Sequence, residues 1–128
     1  MSSLILDSGG VSRLARQSQD SAAMIMAFKV EGLWPPLVPS VVMVECLSGR
    51  QRADVLVNRF LKICDIVEEL SQPLVRRAAG LRALAQRGSA VDAVVVTMAE
   101  PGGTVLSGDI GDLRAIAAHA EDVVVHRV

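Results

Sequence analysis

Short apolar runs that stop at an acid, a glycine or a proline alternate along this chain with longer amphipathic stretches. Leu4-Ile5-Leu6 is uniformly apolar and ends at Asp7, which predicts a short buried strand; Ser8-Gly9-Gly10 then permits a tight turn. Val11 to Arg16 and Asp20 to Val30 carry helical periodicity, the second with Ala23, Met26, Ala27 and Val30 on one face and a stop at Gly32. Trp34 and Pro35-Pro36 form a crossover, and Leu37-Val38 leaves room for only a brief strand before Pro39. Ser40 has the chemistry of an N-cap for a helix from Val41 to Leu47. After the break at Gly49 to Arg52, a helix is expected from about Ala53 to Leu61. A strand follows from Ile63 to Val67, with Asp65 turned away from the core. Pro73 opens an amphipathic helix to about Gln86, with Leu74, Ala78, Leu81 and Leu84 inward and Arg76, Arg77, Arg82 and Arg87 outward. Ser89 begins another helix that Pro101-Gly102-Gly103 stops. Thr104 to Ser107 is a strand, Asp112 to Ala120 a helix, and Val123 to His126 a last strand.

Strands alternating with helices in this way predict an α/β fold, a parallel sheet of about five strands covered by helices. Composition sharpens the picture: half the residues are hydrophobic, yet Phe28, Trp34 and Phe60 are the only aromatics, so the core is aliphatic, as suits a covered parallel sheet. A length of 128 residues fits a single domain, 1–128, with a real core. The net charge of −1 gives no general basicity from which to argue nucleic-acid binding. Cys46 and Cys64 lack paired-thiol spacing and neighbouring histidines, and read as small hydrophobes rather than zinc ligands. His119 and His126 stand apart from the acids and read as surface or strand-edge residues. The N-terminus lacks a basic n-region and no apolar run reaches membrane-spanning length, so a cytoplasmic location is expected.

The acids are where the chemistry lies. Asp7 and Asp109 follow buried strands, Glu45 interrupts the apolar VVMVECL, Asp92 lies near the start of a helix, and Asp112 is one helical turn past Asp109. Structural roles are available to some: Ser89 and Asp92 have capping-box spacing, and Asp109 and Asp112 suit a helix start. With the first and fourth strands adjacent, all five acids would nevertheless gather at one sheet edge, outside the strands' carboxyl ends. Carboxylates so crowded must take up protons or bind a cation. A set of oxygen donors without His or Cys selects Mg2+, with Mn2+ able to substitute, and the chemistry that follows is phosphodiester hydrolysis.

Asp7 after an opening strand, Glu45 in an apolar helix, Asp92 early in a helix, and Ser107-x-Asp109 followed by Asp112 together resemble the PIN-domain nucleases, and the chain length resembles the VapC-type toxins of bacterial toxin–antitoxin pairs. The resemblance spans essentially the whole chain. It implies a three-layer sandwich around a five-stranded parallel sheet. It also implies a Mg2+-dependent endoribonuclease toxin, a homodimer, and a small antitoxin whose tail covers the acidic crevice. Matched residue by residue, Asp7, Glu45, Asp92 and Asp109 correspond to the family's acidic quartet, with Asp7, Asp92 and Asp109 on the metal. Asp112 corresponds to a frequent fifth acid, and Ser107 to a hydroxyl that orients one of the carboxylates.

Two other classes bear comparison. A phosphoacceptor receiver domain also gathers acids at strand ends but needs a lysine after its last strand, and the only lysines here are Lys29 and Lys62. A PIN-like interaction domain, weakly catalytic or inactive, would keep the acidic crevice to bind a partner's arginines without cutting RNA.

Overall fold

The computed structural model describes residues 2–128. Five strands, β1 (Leu4–Leu6), β2 (Leu37–Pro39), β3 (Asp65–Val67), β4 (Thr104–Ser107) and β5 (Val124–Arg127), form one sheet in the order β3-β2-β1-β4-β5. Every neighbouring pair is parallel, with Leu6 opposite Leu106 and Ser107 opposite Arg127 at the carboxyl ends. Among the described residues seven helices flank the sheet: α1 (Ser8–Ala15), α2 (Gln19–Val30), α3 (Met43–Cys46), α4 (Val55–Leu61), α5 (Gln72–Ala85), α6 (Ala90–Ala99) and α7 (Gly111–Ala117). This is the covered parallel α/β sheet that the alternating pattern predicts, and it agrees with the PIN-like architecture that the resemblance implies.

The central strands are apolar without alternation because both their faces are covered. Leu4, Ile5, Leu6, Val105 and Leu106 are fully buried, with Val11 and Leu14 of α1, Leu81 of α5, Val95 and Val96 of α6, and Leu113 and Ile116 of α7. Helix α1 packs with α2, α3 and α4, while α5, α6 and α7 pack with one another. The order in which strands are added reverses at the β1–β4 pair, since β2 and β3 lie to one side and β5 to the other. A crevice outside the carboxyl ends of such a pair is where open α/β sheets bind ligands.

Several local expectations are corrected. Ser8-Gly9-Gly10 is the first turn of α1 rather than a separate turn, because Asp7 caps the helix and its Oδ1 accepts from the Gly10 amide at 2.8 Å. The two glycines serve close approach: a Cβ on Gly9 would sit 2.7 Å from the Gly108 nitrogen, and one on Gly10 2.4 Å from the Leu106 oxygen. Helix α2 packs through Ser21, Met24, Ile25 and Phe28, leaving Ala23, Met26, Ala27 and Val30 outward. Ser40 makes no cap hydrogen bond and instead opens a single 3-10 turn, Ser40–Val42, that leads into the one-turn α3. On α5, Ala85 turns inward and Leu84 is exposed. Helix α7 stops at Ala117, and Cys46 and Cys64 are half-buried rather than fully interior. Their thiols remain protonated, burial pushing Cys46 up and Cys64 up to about 12.

Candidate functional site

Asp7 and Ser107 meet at the carboxyl ends of β1 and β4. Both are buried, and the Ser107 hydroxyl donates to Asp7 Oδ2. Ser107 Oγ also accepts from the Asp109 amide at 3.0 Å and lies 2.9 Å from the Asp109 carbonyl oxygen, so one hydroxyl ties the Asp7 carboxyl to the loop carrying Asp109. With Oδ1 engaged by Gly10, Asp7 is held at both oxygens. Its carboxyl nevertheless sits above the usual carboxylate range. Burial is the main cause, opposed by the bonds from Ser107 and Gly10 and reinforced by the negative charges of Asp92 and then Glu45. These two acids, from α6 and α3, are therefore electrostatic neighbours of Asp7 across the crevice.

Asp92 is half-buried at the third residue of α6 and completes the capping box expected from its spacing. Its Oδ2 accepts from the Ser89 amide, and the Ser89 hydroxyl accepts from the Asp92 amide, each at 3.0 Å. A capping box uses one carboxylate oxygen and leaves the other available. Glu45 is exposed on α3 rather than embedded among apolar side chains, since a one-turn helix leaves Val44 and Glu45 facing out. Asp109 is exposed on the loop after β4; Ile110 occupies the N-cap of α7, and Asp109 Oδ1 accepts a long 3.4 Å bond from the Gly111 amide. Asp112 is committed elsewhere: Arg87 Nε donates to its Oδ1 at 2.7 Å.

Among the described residues no three His, Cys, Asp or Glu side chains converge closely enough to make a metal cluster. The donor chemistry still fits a hard cation: a buried carboxyl whose charge is disfavoured, two further acids near it, and no sulfur or imidazole. Mg2+ needs only one or two protein carboxylates, because it keeps several waters.

Two residues outside the acidic set organise the neighbourhood. Asp54, buried just before α4, accepts from the Ser48 amide and hydroxyl and from the Gly49 amide at 2.8–2.9 Å. These bonds, Ser48's first, hold its carboxyl below the usual range and pin the loop that follows Glu45's helix. Its sequence signal was the Ser-Gly turn five to six residues before an acid. Arg87, read from sequence as a solvated surface cation, is paired with Asp112 at the rim.

No protein-family model matches the chain, and no curated protein matches it significantly. Solved structures do. VapBC2 from Rickettsia felis, bound to a DNA fragment from the proteins' promoter, matches with a TM-score of 0.71 at 12% identity, over 98% of each chain. FitAB bound to an IR36 DNA fragment matches with a TM-score of 0.65 at 19% identity, over 97% of this chain and 94% of that one. FitAcB from Neisseria gonorrhoeae gives 0.62 at 20% identity, over 95% of each. At these identities the likeness is one of fold, and it extends over nearly the whole length.

Proposed function

We propose that residues 1–128 act as one PIN-like nuclease domain, a VapC-type endoribonuclease toxin that cuts RNA phosphodiester bonds at the β1–β4 crevice. The observation that supports this reading is the buried Asp7, gripped by Ser107 and Gly10 and raised in pKa by Asp92 and Glu45, at the reversal point of a sheet whose fold is that of VapBC2 and the Fit proteins.

In this reading Asp7, Asp92 and Asp109 hold Mg2+, or Mn2+ in its place. When bound, the cation polarises a phosphoryl oxygen and makes water a better nucleophile at neutral pH. The chain's own groups do the rest. Ser107 fixes the Asp7 carboxyl and the Asp109 loop in one unit. Glu45, exposed and without a protein hydrogen bond among the described residues, accepts the proton of the attacking water. The helix cap at Ser89 orients Asp92 through one carboxylate oxygen and leaves the other free for a cation.

The partner is a small antitoxin, and the protein works as a homodimer until that partner binds. An apolar groove of about 410 Å3, lined by Leu14, Ala15, Ile25, Leu56, Phe60 and Ile63, lies on the α1, α2 and α4 side of the sheet and suits an apolar helix face of that partner.

Asp7→Asn and Asp92→Asn test the reading. Each keeps size and hydrogen bonding, so each should abolish Mg2+-dependent RNA cleavage and growth inhibition while leaving the circular dichroism spectrum intact. Near-parent cleavage by either variant removes that residue from the metal. The use of Asp92 in a cap and of Asp112 in an ion pair favours a second reading, a PIN-like interaction domain that does not cut RNA. A parent protein that binds an antitoxin but cleaves nothing in Mg2+ or Mn2+ would establish it.

A further inference from the structure

The end of α5 and the loop after it border an open hollow of about 420 Å3 lined by Ala79, Arg82, Ala83, Gln86, Arg87 and Gly88. Both arginines are spent in the same way. Arg82 Nε donates to the Gly88 carbonyl at 3.0 Å, and Arg87 Nε donates to Asp112 at 2.7 Å. Among the described residues neither arginine gives a terminal guanidinium nitrogen to a protein acceptor, so each retains four N–H donors at the free end of a held side chain. The Arg87 side chain is 58% exposed.

The loop that follows Arg82's helix and carries Arg87 is over-determined. Gln86 ends α5 in the left-handed region with φ 55°, and Gly88 has φ 92°. That φ favours glycine at position 88, and a Cβ there would also press on Ile116 Cδ1 at 2.6 Å. Ser89 then enters the cap with Asp92. The same loop thus places a hollow bearing two cations directly before one of the crevice acids. Arg87 reaches the other side as well: a Cβ on Gly111 would lie 3.6 Å from Arg87 Nη2 and 3.9 Å from Asp109 Oδ1.

An acidic crevice repels the polyanion it is to cut, so the strand must be held by cations at its rim. We propose that this hollow seats a phosphate of the RNA strand flanking the cleaved bond, on the free ends of Arg82 and Arg87, and that Asp112 is a positioning residue that aims Arg87 rather than a metal ligand. The proposal rests on the nuclease reading above. Guanidinium forks bind phosphate oxygens in pairs, and two arginines lining one hollow suit a single phosphodiester.

The test is fluorescence anisotropy with a labelled single-stranded 12-mer oligoribonucleotide in chelator, where nothing is cut, across a salt series. Arg82→Ala and Arg87→Ala should each weaken binding by about tenfold, the size expected for a lost charged hydrogen bond. The double variant should flatten the slope of log affinity against log salt by about 0.7, the value for one phosphate contact on a single strand. Arg76→Ala, on the same helix outside the hollow, serves as the control and should match the parent. Asp112→Ala, which removes both the charge and the oxygen that holds Arg87 Nε, gives opposite signs for the two roles. Removing an acid from the crevice on charge grounds alone raises RNA affinity, whereas loss of the aim on Arg87 lowers it. Unchanged affinity and salt slope in the double arginine variant, or a rise in Asp112→Ala, overturns the proposal. So does competition by inorganic phosphate that the arginine variants lose while their RNA affinity stays at the parent value. A parent that binds no RNA and cleaves none brings down the nuclease reading with it. A parent that cleaves RNA as well as the double arginine variant does brings down this inference alone.

Discussion

Asp7 combines three roles, and they conflict. It caps α1, it grips Ser107, and it shares the crevice with Asp92 and Glu45 in a buried position that disfavours its charge. Its folded pKa is raised above the ordinary value of 3.8, so its contribution to stability is fully present below that value and is lost as the pH rises through the raised one. Without a cation, the charge that Asp7 takes on as the pH rises works against the fold. Asn at this position keeps an oxygen for the Gly10 amide, and its amide group can donate to Ser107 Oγ while the hydroxyl turns to the Asp109 carbonyl. Asp7→Asn in chelator should therefore melt higher than the parent at pH 7, and the gap should close as the pH falls toward 3.8. Melting curves over that range check it, and a gap that widens toward acid would contradict the assignment. The sequence made the position of this acid legible because an apolar run ended on it. It could not reveal that Asp112 would be claimed by Arg87, since the two are 25 residues apart and the pairing depends on how α5 ends.

At the level of elements, strand positions were readable because covered parallel strands are apolar on both faces, whereas helix faces were not always. In α2 almost every residue from Ser21 to Val30 is small or apolar, so the pattern carries no strong period, and neighbours rather than periodicity decide that Met24, Ile25 and Phe28 face inward. The start of α1 was missed because glycines argue for a turn when read locally, while here they let a helix approach the end of β4. The two kinds of helical glycine separate experimentally. Gly10→Ala drives a Cβ to 2.4 Å from the fixed Leu106 carbonyl and should cost about 1–3 kcal/mol, with loss of activity as the β1–β4 ends part. Gly80, inside α5, has nothing within 4 Å of its would-be Cβ, so Gly80→Ala should stabilise by about 0.5–1 kcal/mol. Urea unfolding of both variants is the measurement; equal effects would mean that helix propensity, not close approach, governs both sites.

Across the whole molecule the topology does what no single element could: it brings β1, α3, α6 and the loop after β4, separated by tens of residues, to one end of the sheet. That gathering was legible once the first and fourth strands were taken as neighbours, and the order β3-β2-β1-β4-β5 makes them so. How near the acids come was not legible, because Asp92 answers to its cap and Glu45 to the short α3. A cation that binds such a site joins elements that otherwise repel one another, and it does so only in the folded state. Mg2+ or Mn2+ should then stabilise by mass action, by about 2.7 kcal/mol at a concentration a hundredfold above its dissociation constant. For a chain of this length that is about 10 °C in melting temperature. Asp109→Asn removes a carboxylate held only by a long bond from the Gly111 amide and should shrink the shift, whereas Asp112→Asn should leave it near the parent's, since Arg87 is that residue's partner. A melting temperature that is flat across a Mn2+ titration in the parent would mean that the crevice acids do not act together on a metal. A shift lost equally in both variants would return Asp112 to the metal.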